Sequence, residues 1–167
     1  KQGITGCIGH GISEAVAQSI YDEIVDFANY AFNKAHAVSY AVVAYQTAWL
    51  KYYYPAEFMA ALMTSVSGDA GQIAKYIRNC RDSGIEVLPP DINHSEKKFS
   101  VHDGAVRFGF MGIKNLGENP IDEIIRARNV TGRFQDFEGF ISNIDVTKIN
   151  KKAVESLIRA GAFDSVN

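Results

Sequence analysis

The feature that most constrains this chain is an apolar and aromatic run over residues 37–54. Its length approaches the ~20 residues with which a helix spans a bilayer. Four polar residues interrupt the run: Ser39, Gln46, Thr47 and Lys51. A segment that is apolar on nearly every helical face is typical of a helix in the centre of a helical cluster. The sequence therefore predicts a buried helix here and no membrane contact.

Helix signals recur on both sides of this run. Ser13 precedes apolar residues at helical spacing, which predicts an amphipathic helix whose apolar face covers a core. Those residues are Val16, Ile20, Ile24 and Phe27. Pro55 is typical of a first helical turn. Asp69 is typical of an N-cap and predicts the start of a further helix. Gly84 is typical of the residue that ends that helix.

The hydrophobic period changes after the helix that Gly84 ends. Pro89-Pro90-Asp91 predicts an extended linker. The residues around Asp103-Gly104 alternate between apolar and polar, which indicates a type I′ hairpin with strands at Lys97–Val101 and Ala105–Phe108. Further helices are expected at four segments: Gly109–Asn115, Pro120–Arg128, Phe134–Ser142 and Asn150–Ala160.

These patterns predict a mainly α fold with one small β-hairpin. We expect a helical domain over residues 1–88, followed by the β-hairpin and helix-hairpin-helix elements over residues 89–167. The chain begins at Lys1 rather than at methionine, which we interpret as a piece of a longer polypeptide.

The distribution of charge indicates where a polyanion would bind. The 17 basic and 19 acidic residues give a net charge of −2, which argues against nucleic-acid binding by bulk charge alone. Residues 1–33 hold one base against four acids, whereas residues 107–159 hold nine bases against seven acids. Any contact with a polyanion is therefore expected on the later part of the chain.

Residues 112–128 predict a helix-hairpin-helix, with a turn around Leu116-Gly117-Glu118. The N–H groups of such a turn and of the second helix's first turn attract phosphate, and Lys114 adds a charge. Asn115 takes the position where glycine is usual, and asparagine tolerates the left-handed conformation there. Lys148, Lys151 and Lys152 flank another helix start, where a nearby DNA phosphate would offset the unfavourable interaction of cations with the helix dipole, so they are candidate DNA contacts as well. The alternatives are a helical corner with no ligand and a solvated basic turn.

A second anion site is suggested at the start of the apolar helix. Lys34 and His36 precede it, and the N-terminal helix dipole favours a triphosphate or a backbone phosphate there. Tyr40 and Tyr45 offer flat surfaces for a base. The alternative is a core helix with a lysine that reaches solvent and a histidine satisfied by its neighbours.

The sequence lacks the patterns of a complete active site. It has neither the Asp-x-Asp of two-metal phosphoryl transfer nor a Gly-x4-Gly-Lys phosphate loop. Cys7 and Cys80 form no Cys-x-x-Cys pair, so neither a zinc site nor a disulfide framework is indicated, which favours the cytoplasm. We expect no catalytic residue, metal or cofactor in this chain.

Four stretches carry a resemblance that covers nearly the whole chain. They are "FNKAHAVSYAVVAYQTAWLKYYYPAEFMAALMTS", "GIEVLPPDIN", "VRFGFMGIKNLGENPIDEIIRAR" and "INKKAVESLIRAGAFDS". In this order they resemble the bacterial DNA polymerase III alpha subunits, the replicative polymerases of family C. Ala35 departs from the serine that is more frequent in that family.

The resemblance implies a fingers domain followed by helix-hairpin-helix elements. The catalytic aspartates and Mg²⁺ of that family lie in a palm domain outside this region, so the piece is expected to be inactive alone. Asn33, Lys34, His36 and Tyr40 would face the incoming deoxynucleoside triphosphate. Lys114, Asn115 and Gly117 would face the duplex backbone.

The implied partners are primed-template DNA, the incoming nucleotide, the rest of the polymerase chain and other replisome subunits. A helical protein-interaction scaffold within the replisome is the alternative, because the near-neutral charge and the acidic first helix suit it. The two differ in salt dependence, which is steep for binding to a DNA backbone.

Overall fold

The computed structural model describes residues 6–30 and 34–166, without the side chains of Asn29, Tyr30 and Lys34. It is mainly α, as predicted. Its α-helices are α1 (Glu14–Tyr30), α2 (Lys34–Tyr53), α3 (Pro55–Ser65), α4 (Ala70–Asp82), α5 (Glu118–Thr131), α6 (Phe137–Asn143) and α7 (Lys151–Arg159). Its strands are β1 (Val87–Leu88), β2 (Ser100–His102) and β3 (Ala105–Arg107), and short 3-10 helices cover Cys7–His10 and Phe110–Gly112. The chain divides into two compact units, Lys1–Ala48 and Trp49–Asn167.

The large apolar residues that the structure describes in the first unit are exposed. Ile20 and Phe27 of α1 are 45% and 75% exposed, and Tyr40 and Tyr45 of α2 are 63% and 71% exposed. The predictions that α1 covers a core and that α2 lies in the centre of a helical cluster are therefore wrong for this chain. An apolar composition indicates that a helix packs against other apolar surface, but it does not identify the segment that supplies this surface. In the described part of the chain, no helix has the length and apolarity to cross a membrane.

A first core lies in the second unit, between α3, α4 and the sheet. Met63, Cys80 and Val106 are completely buried there. Pro55 occupies the first turn of α3, and the Asp69 carboxylate accepts a hydrogen bond from the Gln72 N–H at 3.0 Å, so both predicted helix starts are confirmed.

The predicted hairpin is confirmed, with shorter strands. Asp103 and Gly104 have φ of 51° and 80°, as a type I′ turn requires, and His102 pairs with Ala105. Strand β1 was not predicted; it pairs in parallel with β3 and gives the order β1-β3-β2. A strand of two residues is too short to show alternation.

A second core joins α5, α6 and α7, and Ile92, from the segment after β1, packs into it. Ile124, Phe140, Leu157 and Ile92 are completely buried in this core. The Ile92 N–H donates to the Ala162 carbonyl at 2.7 Å. The linker predicted at Pro89-Pro90-Asp91 is therefore wrong in part: Pro89 is exposed, but Pro90, Asp91 and Ile92 are buried against the second core, and we refer to these three residues as the brace.

Asp91 holds the brace in place. Because consecutive prolines precede it, the sequence was interpreted as extended and this role of Asp91 was not predicted. Its carboxylate accepts hydrogen bonds from the backbone N–H groups of Asn93 at 2.8 Å and His94 at 3.0 Å. The Asn93 side chain then exchanges two hydrogen bonds with the backbone of Phe134, both 2.8 Å. The predicted boundary between residues 88 and 89 stays a prediction.

Candidate functional site

The predicted helix-hairpin-helix turn is present between the 3-10 helix Phe110–Gly112 and α5. Asn115 has φ of 64°, so asparagine does occupy the left-handed position. Buried Ile113 and Leu116 hold the turn against the second core. Gly117 is the N-cap of α5 and supplies no side chain to cap it. The first N–H groups of α5 are therefore left to solvent or to an external acceptor.

Carboxylates stand close to this helix start. The Lys97 ammonium lies 3.3 Å from Glu118 and 3.2 Å from Asp122, and these contacts, with the Asp122 hydrogen bond foremost, raise the pKa of Lys97. The positive end of the helix dipole stabilises both carboxylates, which therefore compete with an incoming phosphate there. The charges that attract an anion must therefore come from other lysines and arginines.

A groove of about 550 Å³ runs between the hairpin turn and α7. It brings together Lys114 and Asn115 of the turn with Lys152 of α7, three of the residues predicted to contact DNA. The other lining residues are Pro90, Phe108, Gly112, Ile113, Glu155, Ser156, Arg159 and Ala160. We refer to it as the hairpin groove.

The hairpin groove has an apolar floor and a cationic rim. Pro90 and Ile113 are buried and Phe108 is half-buried, whereas Lys114, Lys152 and Arg159 are exposed. Asn150 caps α7 by accepting from the Ala153 N–H at 2.9 Å, which fixes the helix turn that carries Lys152. Arg159 was not predicted from the sequence, although it lies two helical turns after Lys152 and on the same face of α7.

Three other predicted DNA contacts do not line this groove. Gly117 forms the N-cap described above. The Lys148 ammonium lies 3.3 Å from Glu123 and 3.9 Å from Asp145. Lys151 is almost fully exposed and lies 3.9 Å from Glu155, one helical turn away. The charges of Lys148 and Lys151 are thus partly balanced within the chain.

Glu123 is a buried carboxylate that was not predicted from the sequence either. It is 2% exposed and accepts hydrogen bonds from Arg126 Nε at 2.8 Å and from the Asp145 N–H at 2.9 Å. Arg126, followed by the Asp145 N–H and Lys148, lowers the pKa of Glu123 to about 2. An acid between Ile121 and Ile124 on the buried side of α5 was the signal in the sequence. The network ties α5 to the loop before α7.

The predicted nucleotide-binding residues lie at the start of α2. Asn33 and the side chain of Lys34 fall outside the described residues. The rings of His36 and Tyr40 are 4.4 Å apart, so these two side chains share one face of α2. The Ser39 hydroxyl donates to the Ala35 carbonyl at 2.9 Å. A role for these residues in binding a nucleotide stays a prediction.

Comparisons with known proteins agree with this geometry. Residues 84–167 match the family model described as the helix-hairpin-helix motif. The chain is 45% identical over 161 residues to a DNA polymerase III subunit alpha of Mycobacterium tuberculosis, covering 96% of this chain and 14% of the relative. It is 45% identical over 160 residues to that of Vibrio cholerae, at 95% and 14% coverage. It is 41% identical over 162 residues to the DNA polymerase III subunit alpha of Deinococcus radiodurans, covering 97% of this chain and 12% of the relative.

These similarities confirm the resemblance seen in the sequence. The chain spans about one seventh of the length of the relatives it matches.

Proposed function

Because this chain belongs to the helix-hairpin-helix family, we propose that it binds the phosphate backbone of DNA along the hairpin groove. One observation carries the proposal: Lys114 of the hairpin turn and Lys152 of α7, far apart in sequence, line one groove together with Arg159. Neither lysine has an ion pair within the described residues. Cations that are free of partners gain most from a phosphate, because no internal salt bridge has to be broken.

Within this proposal the six predicted residues divide into two groups. Lys114, Asn115 and Lys152 contact the backbone directly, since they line the groove. Lys148 acts mainly through Glu123, by holding the loop before α7 in place. Lys151 adds long-range attraction, and Gly117 leaves the first N–H groups of α5 accessible.

The wider proposal is that the chain is part of a DNA polymerase III alpha subunit. The names of the similar proteins support it, and the chain corresponds to 14% of their length. Residues 1–88 would form part of a fingers domain, and residues 89–167 would contact the template-primer. The catalytic aspartates and Mg²⁺ would lie elsewhere in the complete polypeptide, so this chain alone would not extend a primer. The setting would be the cytoplasm, with other replisome subunits as partners.

The start of α2 would then bind the incoming nucleotide. Asn33, Lys34 and His36 lie at or before its first turn, where the helix dipole favours a triphosphate. Tyr40 is 63% exposed and presents its ring for contact with a base.

A second candidate is a protein-interaction scaffold within the replisome. The exposed apolar residues of α1 and α2, among them Phe27 and Tyr45, favour it.

A salt titration distinguishes the two candidates. Fluorescence anisotropy of a primed-template DNA, titrated with the chain at rising salt, should give an affinity that falls linearly on a log–log plot. The slope of log affinity against log salt concentration is about −0.9 for each phosphate that the chain neutralises. A folded chain that fails to bind DNA at low salt would contradict the proposal and favour the scaffold.

A further inference from the structure

The hairpin groove is larger and more apolar than contact with a phosphate requires. A phosphate needs cations and N–H donors at the surface, and it gains nothing from apolar walls that displace its water. The groove holds about 550 Å³ and has Pro90, Phe108 and Ile113 in its lining. That volume falls within the range of roughly 300–1,000 Å³ common for sites that enclose a small organic molecule.

We propose that the hairpin groove binds one unpaired nucleotide of single-stranded DNA, with its base on the apolar floor and its phosphate at the cationic rim. This inference rests on the proposed function and specifies the DNA that the groove prefers. Bases of a duplex are paired and stacked, so they cannot enter a concave site without being extruded. An unpaired nucleotide presents both an apolar base and an anionic phosphate, which matches the division of the groove into floor and rim.

Phe108, in the floor of the groove, is closely packed by its neighbours. Its ring lies 4.7 Å from the ring of Phe99, centroid to centroid. A Cβ on Gly112 would meet Phe108 Cε1 at 2.6 Å, so only glycine lets the backbone pass this close. An aromatic surface of this kind suits base stacking, which tolerates any of the four bases.

Glu155 adds a preference among the bases. Lys152, Glu155, Ser156 and Arg159 lie on one face of α7 and line the groove together. A carboxylate repels phosphate, but it accepts hydrogen bonds from exocyclic amino groups such as that of cytosine. Thymine has no such amino group. We therefore expect the groove to prefer oligo-dC to oligo-dT.

The first test blocks the groove and leaves its charge unchanged. Half-buried Ser156 lines the groove, so Ser156→Leu fills part of it. Anisotropy with oligo-dC and with a blunt duplex should show at least a fivefold loss of affinity for the single strand and a clearly smaller loss for the duplex, whose backbone contacts the rim rather than the floor. Ser142→Leu, on the exposed surface of α6, is the matched control and should change neither. Circular dichroism melts confirm that both variants fold.

The second test removes the acceptor. Glu155→Ala should raise the affinity for both single strands by removing a negative charge, and should abolish the preference for oligo-dC. If the affinity rises equally and the preference persists, Glu155 does not contact the base.

The outcomes separate this inference from the proposed function. Equal effects of Ser156→Leu on single strand and duplex would overturn the inference alone, since DNA binding would persist without a base site. The same holds if Ser156→Leu abolishes binding of an acidic aromatic peptide while oligo-dC binding is unchanged, because the groove would then be a peptide site. Failure of the unmodified chain to bind either DNA would overturn both proposals.

Discussion

At the scale of single residues, Glu123 makes the second core sensitive to acid. Its pKa is lowered to about 2 from an ordinary value of 4.5. Between these two values the unfolded chain binds the proton more readily than the folded chain, so stability rises with pH through this window. The contribution of Glu123 is complete above about pH 5 and is lost as the pH falls towards 2.

Glu123→Gln tests this contribution. The amide still accepts from the Asp145 N–H but cannot pair with Arg126 and Lys148. We expect a loss of about 1–3 kcal/mol in the free energy of unfolding at pH 7. We also expect a weaker decline between pH 5 and pH 3, measured by urea denaturation. Glu86→Gln, at an exposed position before β1, should leave both values unchanged. An unaltered acid profile in Glu123→Gln would contradict this assignment.

Asn115 carries the conformational demand of the hairpin turn. Its φ of 64° is accessible to glycine and asparagine but strained for a branched side chain. Asn115→Val should lower the free energy of unfolding by about 1–2 kcal/mol, whereas Asn115→Gly should be tolerated. Urea denaturation of both variants measures the difference. Equal stability of the two would show that the turn readily adopts another conformation.

At the scale of elements, the start of α7 links helix stability to the groove. Lys151 and Lys152 oppose the helix dipole in the first turn, and the Asn150 side chain caps the helix against that cost. Lys152 keeps its place in the groove only while this turn is formed.

Asn150→Ala should therefore cost about 1 kcal/mol of stability and weaken DNA binding. Asn150→Asp retains an acceptor for the Ala153 N–H and should restore the stability. Thermal melts and anisotropy measure the two effects. If alanine and aspartate were equally stable at this position, the side-chain cap would be unimportant.

The elements also show which features the sequence encodes locally. Caps and turns depend on a few neighbouring residues, so Asp69, the pair Asp103-Gly104 and the left-handed Asn115 were predictable. Strand β1 was not, because its two residues are specified by β3, some twenty positions later. The brace around Asp91 and Ile92 depends on contacts with Phe134 and Ala162. These residues are too far away in the sequence for a local pattern to indicate the contacts.

The candidate site was predictable only in part. A basic residue beside a hairpin turn is visible in the sequence, as Lys114 shows. Which of the three lysines near α7 reaches the groove depends on packing: Lys152 does, while Lys148 is drawn to a buried carboxylate that no charge count reveals.

At the scale of the whole molecule, the exposed apolar residues of α1 and α2 are the main departure from expectation. Val38, Val42 and Val43 are each more than 50% exposed. The relatives are about seven times longer than this chain. We propose that further parts of such a polypeptide cover these helices, which would reconcile the apolar sequence with its exposure here.

The proposed role of the start of α2 in nucleotide binding belongs to this scale, since testing it requires a complete polymerase. Lys34→Ala in the complete polypeptide should raise the KM for all four deoxynucleotides and leave primer-template affinity unchanged. Lys51→Ala, at the opposite end of α2, is the matched control. Steady-state primer extension measures both variants. An unchanged KM, or a loss explained by unfolding, would remove Lys34 from the nucleotide site.

If the hairpin groove holds the DNA backbone as we propose, reversing its charge in the double variant Lys114→Glu with Lys152→Glu should weaken DNA binding. Anisotropy with primed-template DNA across a salt series should show a large loss of affinity. The slope should become shallower by about 0.9 for each phosphate that the variant no longer neutralises. Lys75→Glu, on the exposed surface of α4, should change the slope little. If the double variant folds and binds DNA with the slope and affinity of the Lys75→Glu control, the hairpin groove is not the DNA site.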